Sequence, residues 1–211
     1  RMITSDLDSN ALLRALPTEL PVFPLQGVVL LPRGRLPLNV FEPRYMALMN
    51  DALGLGRMVG MIQPTQNTGD HPPLYKIGCA GRIVSFSETD DGRYLVALLG
   101  VCRFGVAEEL PMQNGYRRIR PDWAPFAADL APPADDKIDR PRLFVALRNY
   151  FKVHNITANW EAIQHTDDEQ LVISLTMICP FEANEKQALI ETNGLIARSN
   201  LLQALLEMAA L

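Results

Sequence analysis

Apolar and polar positions along this chain change rhythm after Trp123. From Leu20 to Asp122, short aliphatic runs stand between Gly and Pro punctuation: Val28–Leu31, Met58–Ile62, Gly81–Phe86 and Tyr94–Leu99. Runs of this kind, bounded by turn residues, predict strands. Within "SETDDGRYLV", Asp91-Gly92 supplies a residue tolerant of positive φ, which predicts a hairpin pairing Ile83–Glu88 with Arg93–Leu99 antiparallel.

The stretch "APFAADLAPPADDKIDRP" has no sustained period and, rich in Ala, Pro and Asp, reads as a connector. A helical rhythm follows it. Leu143, Leu147, Tyr150 and Phe151 share one helix face. Thr166 and Glu169 have capping-box spacing ahead of "LVISLTMIC", where Leu171, Leu175 and Ile178 repeat helically until Pro180. Two more helices are expected, over about Ala183–Thr192, stopped by Asn193-Gly194, and over about Leu195–Ala210. The last carries Leu195, Ile196, Leu201, Leu202, Leu205, Leu206 and Met208, apolar around much of its circumference. Such a helix is either sandwiched within the fold or part of a contact between copies. Strands followed by helices without alternation predict an α+β fold. The expected divisions are an amino-terminal extension (1–19), a β-domain (20–123), a connector (124–141) and a helical domain (142–211).

The chain has 211 residues, 48% hydrophobic and 21% charged, which is ordinary globular usage with room for a sizeable core. A net charge of -4 argues against a surface built to neutralise nucleic-acid phosphates. Three widely spaced cysteines, Cys79, Cys102 and Cys179, cannot complete a disulfide framework and read as buried thiols in a reducing compartment. No apolar run reaches the roughly 18–20 residues of a membrane span, and "RMITSDLDSN" is polar rather than signal-like. A cytoplasmic protein without a membrane segment is the expectation. Because Arg1 precedes Met2, a native start upstream of Arg1 stays open.

Candidate chemistry is sparse. "GLGRMVG" lacks the Lys-Ser or Lys-Thr of a phosphate loop and follows a helix, so Gly54, Gly56 and Gly60 read as a helix stop and turn. His71, His154 and His165 are scattered, and no Cys stands at ligand spacing from another, which predicts neither a metal site nor a cofactor. Asp90-Asp91, Asp135-Asp136 and Asp167-Asp168 sit in turn, linker or helix-start contexts that favour Asp for backbone bonding. No serine lies in a nucleophile elbow or beside an activating lysine motif, so no catalytic residue is expected.

One corner stands out. In "LPLNVFEPRYMALM" an extended run turns into a helix through Phe41-Glu42-Pro43-Arg44-Tyr45. Pro43 suits a first helical turn, Glu42 complements the positive end of the dipole, and Tyr45, Leu48, Met49 and Ala52 have core-facing spacing. Phe41 is expected to staple the corner, and Arg44 to bond a carboxylate or carbonyl across it. On these grounds the corner is scaffold before it is site.

"LPVFPLQGVVLLPRGRLPLNVFEPRYMALMNDAL" resembles the start of the Lon amino-terminal domain, the substrate-recognition module found at the head of Lon proteases and in stand-alone proteins. The resemblance continues in order through "RMVGMIQP", "LYKIGCAGRIVSF", "DDGRYLVALLGVCRFGV", "YRRIRPDW" and "CPFEANEKQALIETNGLIARSNLLQALL", covering roughly 20–211. It implies a small, curved, mostly antiparallel β-domain of PUA-like type with one inserted helix, followed by a helical bundle. It also implies a non-enzymatic module for binding unfolded or partner polypeptides in protein quality control, and it leaves open whether a protease or chaperone works with it. The ATPase and Ser-Lys peptidase positions of the full S16-type protease have no counterpart here, so a peptidase label would be inherited without the activity.

Three readings follow. Capture of exposed apolar polypeptide segments leads, with Phe41, Arg44, Met46, Met49, Met61 and Trp123 as candidate lining, weighed against the alternative that the apolar five are core. A small-molecule or RNA binder of PUA-like type is second: Arg117, Arg118 and Arg120 lie near Tyr116 and Trp123, although strand alternation would split the arginines between faces. An enzyme with an unmarked three-dimensional site is third. The client and the oligomeric state are left open.

Overall fold

Side-chain size, as much as strand propensity, shapes the first part of the chain. The computed structural model describes residues 3–211, with side-chain placement from Ser9 onward. Arg1 and Met2, at the head of the expected extension, lie outside the described residues. The chain divides into two compact units, one running to Pro132 and the other from Pro133 to Leu211.

The first unit contains helix α1 (Ile3–Ala15), strands β1 (Leu20–Pro24) and β2 (Arg35–Val40), helix α2 (Pro43–Gly54), and strands β3 (Met58–Ile62), β4 (Ile77–Glu88), β5 (Tyr94–Gln113) and β6 (Tyr116–Asp122). The strand order is β2-β5-β4-β3-β1-β6, and β5 also pairs with β6. Among the described residues, five strands thus close into a ring, and β2 hangs on its outside, paired with β5 alone. All pairings are antiparallel except β1 with β3, whose connection carries β2 and α2. The predicted hairpin is present, with Glu88 opposite Tyr94 and Gly92 at φ 82°.

Val28–Leu31, expected as a strand, is not one. Val29, Leu30 and Leu31 are buried, but the backbone crosses the sheet instead of joining it. Gly100 permits this: a Cβ there would lie 1.9 Å from the Leu31 carbonyl oxygen. The ring interior is filled by Leu20, Val22, Ile62, Cys102, Phe104 and Ile119, with Leu13 and Leu16 packed against the same cluster. The start of the expected connector also belongs here. Ala124–Leu130 forms a 3-10 helix whose Phe126 is buried in that cluster, because an aromatic ring among small residues has more to gain from burial than from solvation.

The second unit is helical: α3 (Arg140–Val153), α4 (Trp160–His165), α5 (Asp168–Ile178), α6 (Ala183–Glu191) and α7 (Leu195–Ala209). Leu143, Leu147 and Tyr150 of α3 face Leu171 and Leu175 of α5 and Leu202 and Leu206 of α7 in one core. The α5 cap differs from expectation. Thr166 ends α4, its hydroxyl donating to the Ala162 carbonyl at 2.8 Å, and the Asp167 carboxylate accepts from the Gln170 N–H at 2.9 Å. A carboxylate at the cap bonds an orphan N–H and also answers the dipole, which a hydroxyl does less well. The α7 stripe is sandwiched on one side, while Ile196 and Met208 remain exposed. Among the described residues, no helix is long and apolar enough to cross a membrane.

Candidate functional site

The Phe41–Tyr45 corner borders an open cleft of about 480 Å³ in the first unit. Pro43 occupies the first turn of α2, as its missing N–H favours. Tyr45 points inward, and its ring stacks on Phe23 of β1 at 4.1 Å between centroids, 8° from parallel. Burial raises the Tyr45 hydroxyl pKa above its usual range, against the opposing pull of the Arg44 charge. Phe41, expected to staple the corner, instead lies 64% exposed on the cleft wall. Tyr45 takes the packing role because its position on α2 faces β1, while Phe41 precedes the helix and points away from the core.

Arg44 bonds across the corner as expected. Its Nε donates to Glu42 Oε2 at 3.2 Å, and its Nη1 donates to the Asp70 carbonyl at 3.4 Å. Asp70 belongs to a loop between β3 and β4 that supplies the opposite wall through Pro64, Asn67 and Pro72. The base of that loop is held more tightly: Thr65 N–H donates to Pro73 O at 2.8 Å, and Arg117 Nη1 donates to Pro72 O at 2.7 Å.

A third wall is the turn between β5 and β6. Asn114 and Gly115 both have positive φ, 49° and 86°, and the turn brings Gly115, Tyr116 and Arg117 to the cleft. Asn-Gly between alternating residues is the strongest short-range hairpin signal, and "MQNGYRR" contains it. That signal marks the turn in the sequence, but not the cleft that the turn helps to wall. Asp51 of α2 ties the turn down, its Oδ2 accepting from Tyr116 Oη at 2.7 Å and Asn114 Nδ2 at 2.9 Å. These bonds lower the Asp51 pKa, while burial and the same bond push Tyr116 up to about 12.

The cleft gathers only Phe41 and Arg44 from the candidate lining. Met46 is half-buried on α2 and stands outside the cleft. Met49 and Met61 are core residues, exposed by 0% and 2%, and Trp123 is buried with its Nε1–H donating to Pro17 O at 2.9 Å. Those three are withdrawn as lining, since their apolar bulk completes the interior and Trp123 has its one donor satisfied inside.

The arginines of the basic stretch are answered individually. Arg117 pairs with Glu109 at 2.6 Å, Arg118 with Glu19 at 3.0 Å, and Arg120 with Glu108. Cys79, Cys102 and Cys179 are free and buried. Burial pushes the Cys102 and Cys179 thiols up to about 12, where the nucleophilic thiolate is scarce. Among the described residues, no group of three or more His, Cys, Asp and Glu side chains is placed to hold a metal ion.

Comparison with known proteins agrees with this architecture. Residues 19–208 match the family described as the ATP-dependent protease La (LON) substrate-binding domain. The chain is 28% identical over 203 residues to Lon protease 2 of Myxococcus xanthus, a match covering 90% of the chain and 24% of that protease. It is 27% identical to the Lon protease of Flavobacterium johnsoniae over 87% of the chain and 23% of that protease. The chain therefore spans about a quarter of the length of these curated relatives. Among solved structures, a Lon N-terminal domain protein from Xanthomonas campestris superposes with a TM-score of 0.62 at 24% identity, covering 89% of this chain and 98% of that one. The N-terminal domain of the Mycobacterium avium complex Lon protease gives the same TM-score at 14% identity, covering 89% of this chain and 97% of that one. With a family match across nearly its whole length and a fold shared with Lon amino-terminal domains, the chain belongs to the LON substrate-binding domain family.

Proposed function

We propose that the protein is a non-enzymatic module that binds unfolded polypeptide segments in the cleft beside the Phe41–Tyr45 corner. The observation that carries this reading is Phe41, a large aromatic side chain held exposed at the mouth of a cleft walled by Leu36, Leu38, Pro64 and Pro72. A lone exposed apolar residue needs no explanation, but one that borders a cleft of mixed apolar and polar walls offers an apolar contact to a ligand beside groups that can bond its backbone. Membership of a family named for substrate binding supports the same reading. Three buried free thiols suit a reducing compartment, and the cytoplasm is the proposed setting.

The test is fluorescence anisotropy of the whole chain with a labelled, permanently unfolded polypeptide rich in Leu, Val and Phe. Wild type should bind, and Phe41→Ser should bind about tenfold more weakly, the loss of roughly one aromatic contact, with an unchanged melting temperature. Equal binding by Phe41→Ser would place the contact elsewhere, and no binding by wild type would end the reading.

A further inference from the structure

Building on that cleft, we propose that a bound segment is held as an added strand on the free edge of β2. Antiparallel ladders alternate between residues that bond the neighbour and residues whose N–H and C=O point away. Gly100 N–H donates to Gly34 O at 2.8 Å, which sets the parity: Gly34, Leu36, Leu38 and Val40 face β5, and Arg35, Pro37 and Asn39 face outward. Pro37 confirms it, since a residue without an N–H fits a pair that exchanges no hydrogen bond. The outward backbone groups of Arg35, Pro37 and Asn39 make no backbone hydrogen bond among the described residues. β2 also lines the cleft from Leu36 to Asn39. A strand laid along this edge would therefore send alternate side chains towards Leu36, Leu38 and Phe41 while its backbone bonds Arg35 and Asn39.

Charge selects the occupant. Around the cleft, Arg44 is met by Glu42 and Arg117 by Glu109, while the Asp70 carboxylate in the cleft wall, like Arg35 on the edge itself, has no ion-pair partner among the described residues. The matching segment is extended, apolar at alternate positions, and carries a Lys or Arg where it passes Asp70. A second copy of this chain fits less well. Its net charge is -4, and pairing β2 with itself about its centre would set Pro37 against Pro37 and forfeit both hydrogen bonds there.

The inference rests on the polypeptide-binding reading, and the experiment separates the two. The probe is a hexapeptide alternating Leu or Val with Ser or Thr and ending in Lys, together with the same peptide N-methylated at one position at a time. Strand addition predicts that methylation at every second position weakens binding about tenfold and that the positions between tolerate it. On the protein side, Asn39→Pro removes an outward N–H and should lose about as much in a protein that melts normally. Bound peptide should also slow amide exchange at Arg35 and Asn39. Peptide that binds with no alternation in the methylation series overturns strand addition and leaves the cleft reading standing. Peptide that does not bind overturns both. Protection of Arg35 and Asn39 that appears without peptide and grows with protein concentration assigns the edge to a second copy and overturns the inference.

Discussion

Arg103 and Arg44 each pin a segment within the first unit, and they do so in opposite ways. Arg103 is 4% exposed and bonds Asp129 through Nε and Nη2 at 2.9 Å each, while its backbone N–H reaches the same carboxylate at 3.0 Å. Its guanidinium also lies 4.7 Å from the Phe126 ring centre, so one arginine holds the 3-10 helix at two of its residues. Arg44 is 37% exposed, and its two bonds are long, at 3.2 and 3.4 Å. A buried ion pair has lost its water and must be kept complete, whereas an exposed one exchanges partners at little cost. The difference separates a seam of the fold from a wall that can meet a ligand.

That contrast can be broken most severely at Asp129. Asp129→Ala leaves the Arg103 charge buried without its carboxylate and should cost about 3–5 kcal/mol in urea unfolding; a loss like that of an exposed pair would erase the distinction. Next is Met49, which sits in the core beneath the cleft-bearing corner. Met49→Ala should cost about 2–5 kcal/mol, and a near-neutral result would reopen its candidacy as lining.

Glu109 gives an intermediate case, because its bond from Arg117 holds its carboxyl below the ordinary glutamate range despite the opposing effect of partial burial. A depressed folded pKa contributes stability above the unfolded value and loses it as pH falls through the folded one. The gap in unfolding midpoint between wild type and Glu109→Gln should accordingly narrow from about pH 7 to about pH 3. A gap that stayed constant with pH would show the bond to be unimportant. The smallest stability effect belongs to Arg44→Ala, at most about 1 kcal/mol. Its signature should be weaker polypeptide binding in a protein that melts normally, and unchanged binding would make the corner scaffold alone.

Local chemistry made much of this legible in advance. Pro43 at the start of α2, Asp91-Gly92 at a hairpin and the α3 stripe each follow from a few neighbouring residues. What stayed hidden depends on distant partners. Val28–Leu31 has the composition of a strand, but its path is set by Gly100, far along the chain. Met49, Met61 and Trp123 have the same chemistry whether buried or exposed, and only the closed ring decides. Phe41 and Arg44 could be singled out, yet the Asp70 loop and the Asn114-Gly115 turn that complete the cleft arrive from separate strands.

The closed ring also sets an order of events during synthesis. Leu20 of β1 pairs with Ile119 of β6, so β1 must wait for roughly a hundred further residues, or about 5–20 s of translation, before its second neighbour exists. Until then the apolar residues of β1 have no finished interior to enter, and the first unit is itself a nascent chain with exposed apolar strands. The helical unit, built from elements close in sequence, faces no comparable delay once it is made.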